Sequence, residues 1–131
     1  YWCVRIGDWS CPWNRQLAKE KESKHLSWIE QSQTIHEIGS TFTVQGFDLN
    51  YVGVIIGPSV KYRDGKIIFD ISESKNKSAV QNRKLESGEM INYGETLLRN
   101  ELNVLLTRGV NGLYVYAVDE ELQQALKNAT K

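Results

Sequence analysis

Tyr51-Val52-Gly53-Val54-Ile55-Ile56-Gly57-Pro58 is the stretch on which the reading of the fold turns. A continuous, largely β-branched run closed by Gly-Pro has the pattern of a strand covered on both faces. Leu113-Tyr114-Val115-Tyr116-Ala117-Val118 repeats that pattern near the end of the chain. Between the two runs, Gly94, Leu98, Leu102 and Leu105, with Leu97 and Leu106 beside them, keep helical spacing up to Gly109, where a helix commonly stops. Asp119 follows the second run directly. Glu120 and Glu121 stand in the next turn and Leu122, Ala125 and Leu126 share one face, which predicts a well-capped closing helix. Buried strands alternating with helices predict an α/β fold with a mainly parallel sheet.

Outward from this frame, Asp64-Gly65 separates Val60-Lys61-Tyr62 from Ile67-Ile68-Phe69, the two-residue signature of a hairpin with a primed turn, expected at the sheet edge. Polar Ser72 to Glu89 is expected to cross the surface as a loop with one short helical piece. Its Lys75, Lys77, Arg83 and Lys84 suit a solvated linker at least as well as a nucleic-acid contact. At the start, Trp2, Val4 and Ile6 alternate with Cys3 and Arg5 as in a strand, followed by Gly7-Asp8 and a turn-rich Ser10-Cys11-Pro12-Trp13-Asn14. Arg15 to Lys24 reads as a solvated helix or loop, with a weak apolar anchor at Leu26-Ser27-Trp28-Ile29.

Composition narrows the function classes. At 131 residues the chain is about one domain, and sixteen basic residues balance sixteen acidic ones, so any nucleic-acid contact must be local. Cys3 and Cys11 lack metal-ligand spacing and are too few for a disulfide scaffold, so a reduced, cytoplasmic setting is expected and no metal site. No apolar run approaches the roughly 20 residues needed to cross a bilayer. The chain starts at Tyr1 and its one methionine is Met90, which reads as a piece cut from a longer protein. His25 and His36 lack the surrounding motif that a small independent enzyme would need. Trp2, Trp9, Trp13 and Trp28 suit core filling or a domain contact better than base stacking.

Two segments carry candidate chemistry, one before each buried strand. Gly39-Ser40-Thr41-Phe42-Thr43-Val44-Gln45-Gly46-Phe47-Asp48-Leu49 offers hydroxyls, an amide and bare backbone, the groups that phosphate or ribose binding requires. On composition alone it reads slightly more readily as an ordinary connection with Gly46 at a tight turn. Asn103-Val104-Leu105-Leu106-Thr107-Arg108-Gly109-Val110 puts a cation at a helix end, where it can also simply serve the helix dipole.

In this order the two segments resemble the fifth and sixth motifs of superfamily-one helicases. With Tyr62-Arg63-Asp64-Gly65 and Pro12-Trp13-Asn14, the sequence from Trp2 to Leu126 looks like an uncharacterised bacterial family of Schlafen-like P-loop helicases. The resemblance implies a three-layer RecA-like (P-loop NTPase-like) fold, with residues 1–131 as the second, carboxy-terminal RecA-like domain of an ATP-dependent helicase. It implies that Arg108 is an arginine finger to the γ-phosphate and that Thr107 positions its helix end. It implies nucleotide-cleft roles for Gln45, Gly46 and Asp48, and contacts of Ser40, Thr41 and Thr43 with a DNA or RNA backbone.

The sequence departs from the pattern at Phe42, where a histidine is usual, and at Asp48, where many relatives carry glutamate. It also holds no Gly-x-x-x-x-Gly-Lys-Ser/Thr (Walker A) loop. ATP and Mg2+ are therefore expected to be held mainly by a preceding RecA-like domain, and the chain alone is expected to be inactive. The alternative is a degenerate RecA-like module that binds nucleic acid or protein without turning over ATP.

Overall fold

A computed structural model of the protein describes residues 2–15 and 25–131. Most of the charged stretch expected as a solvated helix or loop, residues 16–24, lies outside the described residues. The chain divides into two compact units, Tyr1–Asp48 and Leu49–Lys131.

The first unit opens with a hairpin of β1 (Trp2–Ile6) and β2 (Trp9–Trp13). Gly7 takes φ +56° at the first central turn residue, as a type II′ turn demands. The turn-rich reading of Ser10 to Asn14 is corrected here, because strand pairing carries the chain through Trp13. Pro12, which has no N–H to give, sits opposite Cys3 in a pair that is two-stranded among the described residues, and its carbonyl accepts from Ile38 N–H. Two 3-10 turns, Trp28–Glu30 and Ser32–His36, lead to a short helix α1 (Thr41–Val44). Gln31, Thr34, Glu37 and Ser40 are buried, so this unit is organised by hydrogen bonds. Glu37 is the hub: one carboxylate oxygen accepts from the Trp28 indole at 2.8 Å and the other from the Arg15 amide at 2.9 Å.

In the second unit β3 (Leu49–Ile56) pairs in parallel with β8 (Gly109–Ala117). The intervening chain forms the hairpin β4 (Val60–Arg63) and β5 (Lys66–Phe69), the short helix α2 (Lys77–Val80), and a small hairpin of β6 (Arg83–Lys84) and β7 (Met90–Ile91). The long helix α3 (Gly94–Leu106) then leads into β8. Helix α4 (Glu120–Ala129) closes the chain. Asp64 and Gly65 turn at φ +51° and +75°, the type I′ geometry that twists with the strands. Buried Val54, Ile56, Val60, Ala117 and Leu122 form the core, with Leu102, Leu105 and Leu106 of α3 and Leu126 of α4 packed on it. The Arg99 guanidinium of α3 lies 5.1 Å over the Phe69 ring.

Three expectations are corrected. The two apolar runs are covered on one face: Val54 and Ile56 are buried, whereas Tyr51 is 66% and Tyr114 70% exposed on the other. Helices α3 and α4 supply that single cover, so the β-branched content reflects sheet packing on one side only. The parallel sheet is narrower than expected, with two strands, β3 and β8, while the other described strands form three separate antiparallel pairs. The Asp64-Gly65 hairpin is a separate sheet lying on α4, with no ladder to the parallel pair, because buried Val60 and half-buried Tyr62 anchor it to the core. A mixed α/β fold with parallel strands and terminal helices stands.

Candidate functional site

Helix α3 delivers the second motif to the amino-terminal edge of the parallel pair. Thr107 ends the helix, its hydroxyl donating back to the Asn103 carbonyl at 2.8 Å. Arg108 follows, half-buried. Its Nε donates to the Val104 carbonyl at 3.1 Å and a terminal nitrogen donates to Thr107 Oγ1 at 3.2 Å. The guanidinium thus lies over the last carbonyls of α3, where the helix dipole favours a cation. The Arg108 carbonyl accepts from the Leu49 amide at 2.8 Å, and Leu49 stands opposite Gly109 in the ladder. The end of the first motif is therefore bonded to the backbone of Arg108 in the second.

The rest of the first motif belongs to the first unit. Ser40 is buried, and its hydroxyl donates to the Asn14 carboxamide oxygen at 3.2 Å. The Thr43 hydroxyl accepts from Ser40 N–H and donates to the Ser40 carbonyl, both at 2.8 Å, a reciprocal cap for α1. Two of the three expected phosphate-contacting hydroxyls are thus occupied locally, while Thr41 is half-buried at the helix start. Gln45 is the helix C-cap, and Gly46 takes φ +85° in the left-handed turn that ends it. Gln45, Gly46 and Asp48 are exposed, and Phe42 is 65% exposed. Gly39 packs so closely on Trp28 that a Cβ there would come within 2.9 Å of its ring.

The carboxyl edge of the parallel pair holds a charge cluster that sequence reading missed. An open cleft of about 350 Å³ is lined by Pro58, Lys61, Arg63, Val118, Asp119, Glu120 and Glu121. Asp119 accepts both terminal nitrogens of Arg63, at 2.9 and 2.7 Å, together with the amides of Tyr62 and Leu122. The Arg63 fork, ahead of those backbone bonds, holds the Asp119 carboxyl far below the usual carboxylate range. Lys61 bonds Asp70 at 2.7 Å and, with the Ser72 hydroxyl, lowers its pKa to about 2. Asp119 was legible as a helix cap and Arg63 as part of the hairpin, but no sequence signal joins them. Among the described residues no group of three or more His, Cys, Asp or Glu side chains is placed to hold a metal ion. The described helices include none long and apolar enough to cross a membrane.

Residues 1–119 match the family described as Schlafen group 3, DNA/RNA helicase domain. An uncharacterised protein of Saccharomyces cerevisiae is 38% identical over 130 residues, covering 98% of this chain and 28% of the yeast protein. The chain therefore spans little more than a quarter of that relative's length. No solved structure matches.

Proposed function

Because the chain belongs to the Schlafen group 3 DNA/RNA helicase domain family, we propose that it serves as the second, carboxy-terminal RecA-like domain of an ATP-dependent nucleic-acid helicase or translocase. The supporting observation is the placement of Arg108 at a helix end, its carbonyl bonded to the Leu49 amide at the same sheet edge. In this reading Arg108 reaches into a cleft shared with a preceding RecA-like domain that holds most of ATP and Mg2+. A guanidinium fork set there stabilises charge spreading over the transferred phosphoryl group. Thr107 positions the helix end. Gln45, Gly46 and Asp48 serve the nucleotide side, and Thr41, with Ser40 and Thr43 in structural support, serves the DNA or RNA backbone.

The test is nucleic-acid-stimulated ATP hydrolysis by the longer protein that carries this chain, native against Arg108→Ala. Turnover is expected to fall by roughly 10³ to 10⁵ in the variant. Stimulated turnover indifferent to the substitution would remove the finger from the mechanism.

One observation favours a second reading, a nucleic-acid or protein-binding module without turnover. The Arg108 guanidinium rests on its own helix carbonyls, as an arginine serving only the dipole would. Binding with no stimulated hydrolysis in the native protein would select that reading.

A further inference from the structure

The parallel pair is irregular at one place. Leu49 faces Gly109 and Tyr51 faces Gly112, so Val110 and Asn111 of β8 together oppose the single residue Asn50. Bulges are rare in parallel ladders, and they concentrate where a side chain is re-aimed beside a functional site. Here the extra residue brings the Asn111 carboxamide to Asn50, its Nδ2 donating to Asn50 Oδ1 at 3.3 Å. Glycine makes the bulge possible, since a Cβ on Gly109 would run into the Gly112 carbonyl oxygen. Both asparagines are exposed. Their mutual bond uses one of the four N–H donors the two carboxamides carry. The pair stands at the edge where Arg108 leaves α3 and receives the Leu49 amide. The Arg108 guanidinium lies back over the last turn of α3, on the same sheet edge as these neutral amide donors. A cation sharing an edge with amides is a set that oxyanions attract, the amides fixing direction and the guanidinium supplying charge.

The geometry points to Asn50 and Asn111 as a phosphate-binding pair that works with Arg108, taking the phosphate chain of a nucleotide or the phosphodiester backbone of a nucleic acid. The inference rests on the helicase reading for the kind of ligand and adds two residues to its site. Neutral amides release no counterions, so their removal weakens binding equally at every salt concentration. Removal of Arg108 instead lowers the salt slope by about one.

The test uses NMR spectra of the chain, residues 1–131, with inorganic tripolyphosphate and a short oligothymidylate as separate probes. The side-chain amide signals of Asn50 and Asn111 are followed directly. Movement of these signals at lower concentrations of tripolyphosphate assigns the site to a nucleotide tail, and earlier movement with the oligonucleotide assigns it to a nucleic-acid backbone. Asn111→Ala is expected to weaken the effective probe by about 2- to 12-fold at unchanged salt slope, one neutral hydrogen bond being lost. Asn111→Asp, which keeps the shape and repels phosphate, is expected to weaken it further. Signals that stay put with both probes, or an affinity indifferent to both variants, would overturn the proposal. Thermal melts of the variants show whether a purely structural stitch has been cut, which would lower the melting point and leave native signals unmoved by phosphate. These readouts involve no ATP turnover, so a failed amide pair leaves the Arg108 measurement standing, and an inert Arg108 leaves moving amide signals standing.

Discussion

Asp119 shows how much one side chain can hold. Its carboxylate caps α4 through the Leu122 amide, accepts the Tyr62 amide and pairs with both terminal nitrogens of Arg63, joining hairpin, strand end and helix. Asp119→Asn keeps a capping oxygen and loses the ion pair, whereas Asp119→Ala loses both. Thermal unfolding is expected to rank native above Asp119→Asn and that above Asp119→Ala. The capping part alone is worth about 1 kcal/mol, which is a few degrees in a domain of this size. Equal melting points for the two variants would show that the cap contributes nothing. At this scale the sequence was legible where a residue's partner is its neighbour in the chain: Asp119 as an N-cap and Gly46 in a left-handed turn both follow from local chemistry. Arg63 reaching Asp119 across the fold, and Ser40 turned inward to Asn14, were illegible because nothing local encodes those partners.

The elements divide in the same way. Helices α3 and α4 carry their apolar positions at helical spacing, α4 with Asp119 as its cap, and β4–β5 is fixed by Asp64-Gly65, so all three could be read directly. Strand β2 could not, because Ser10 and Pro12 are turn-formers whose preference is overruled by pairing with β1. The two apolar runs suggested cover on both faces because β-branched residues fit any packed pleat, whether one side or two is covered. Two glycines separate kinds of constraint. Gly65→Ala strains only a left-handed φ and should cost about 1 kcal/mol. Gly109→Ala drives a methyl into a backbone oxygen that cannot rotate away, and should cost more. Urea midpoints of the two variants decide the order, and a smaller effect at Gly109 would mean that the bulge is soft.

For the molecule as a whole, acid is the informative stress. Asp119 and Asp70 both titrate below the ordinary carboxylate value in the folded state, Asp70 at about 2. Stability from such groups is present above the unfolded-state value and is lost as pH falls through the folded one. Burial instead pushes Glu101 up, so its protonation favours the fold as pH falls and offsets part of the loss. Denaturant midpoints should therefore decline from about pH 4 toward pH 2, with a shallower decline in Asp119→Asn; an unchanged slope in that variant would acquit the Arg63–Asp119 pair. The parallel ladder has a consequence in time as well. Hairpins β1–β2 and β4–β5 can close within microseconds of emerging from the ribosome, but β3 finds no partner until Gly109 to Ala117 has been made. At roughly 5–20 residues per second that interval lasts several seconds. During it Val52, Val54 and Ile56 have neither ladder nor helical cover, so the nascent chain passes through a stage in which its future core strand is what a chaperone would hold.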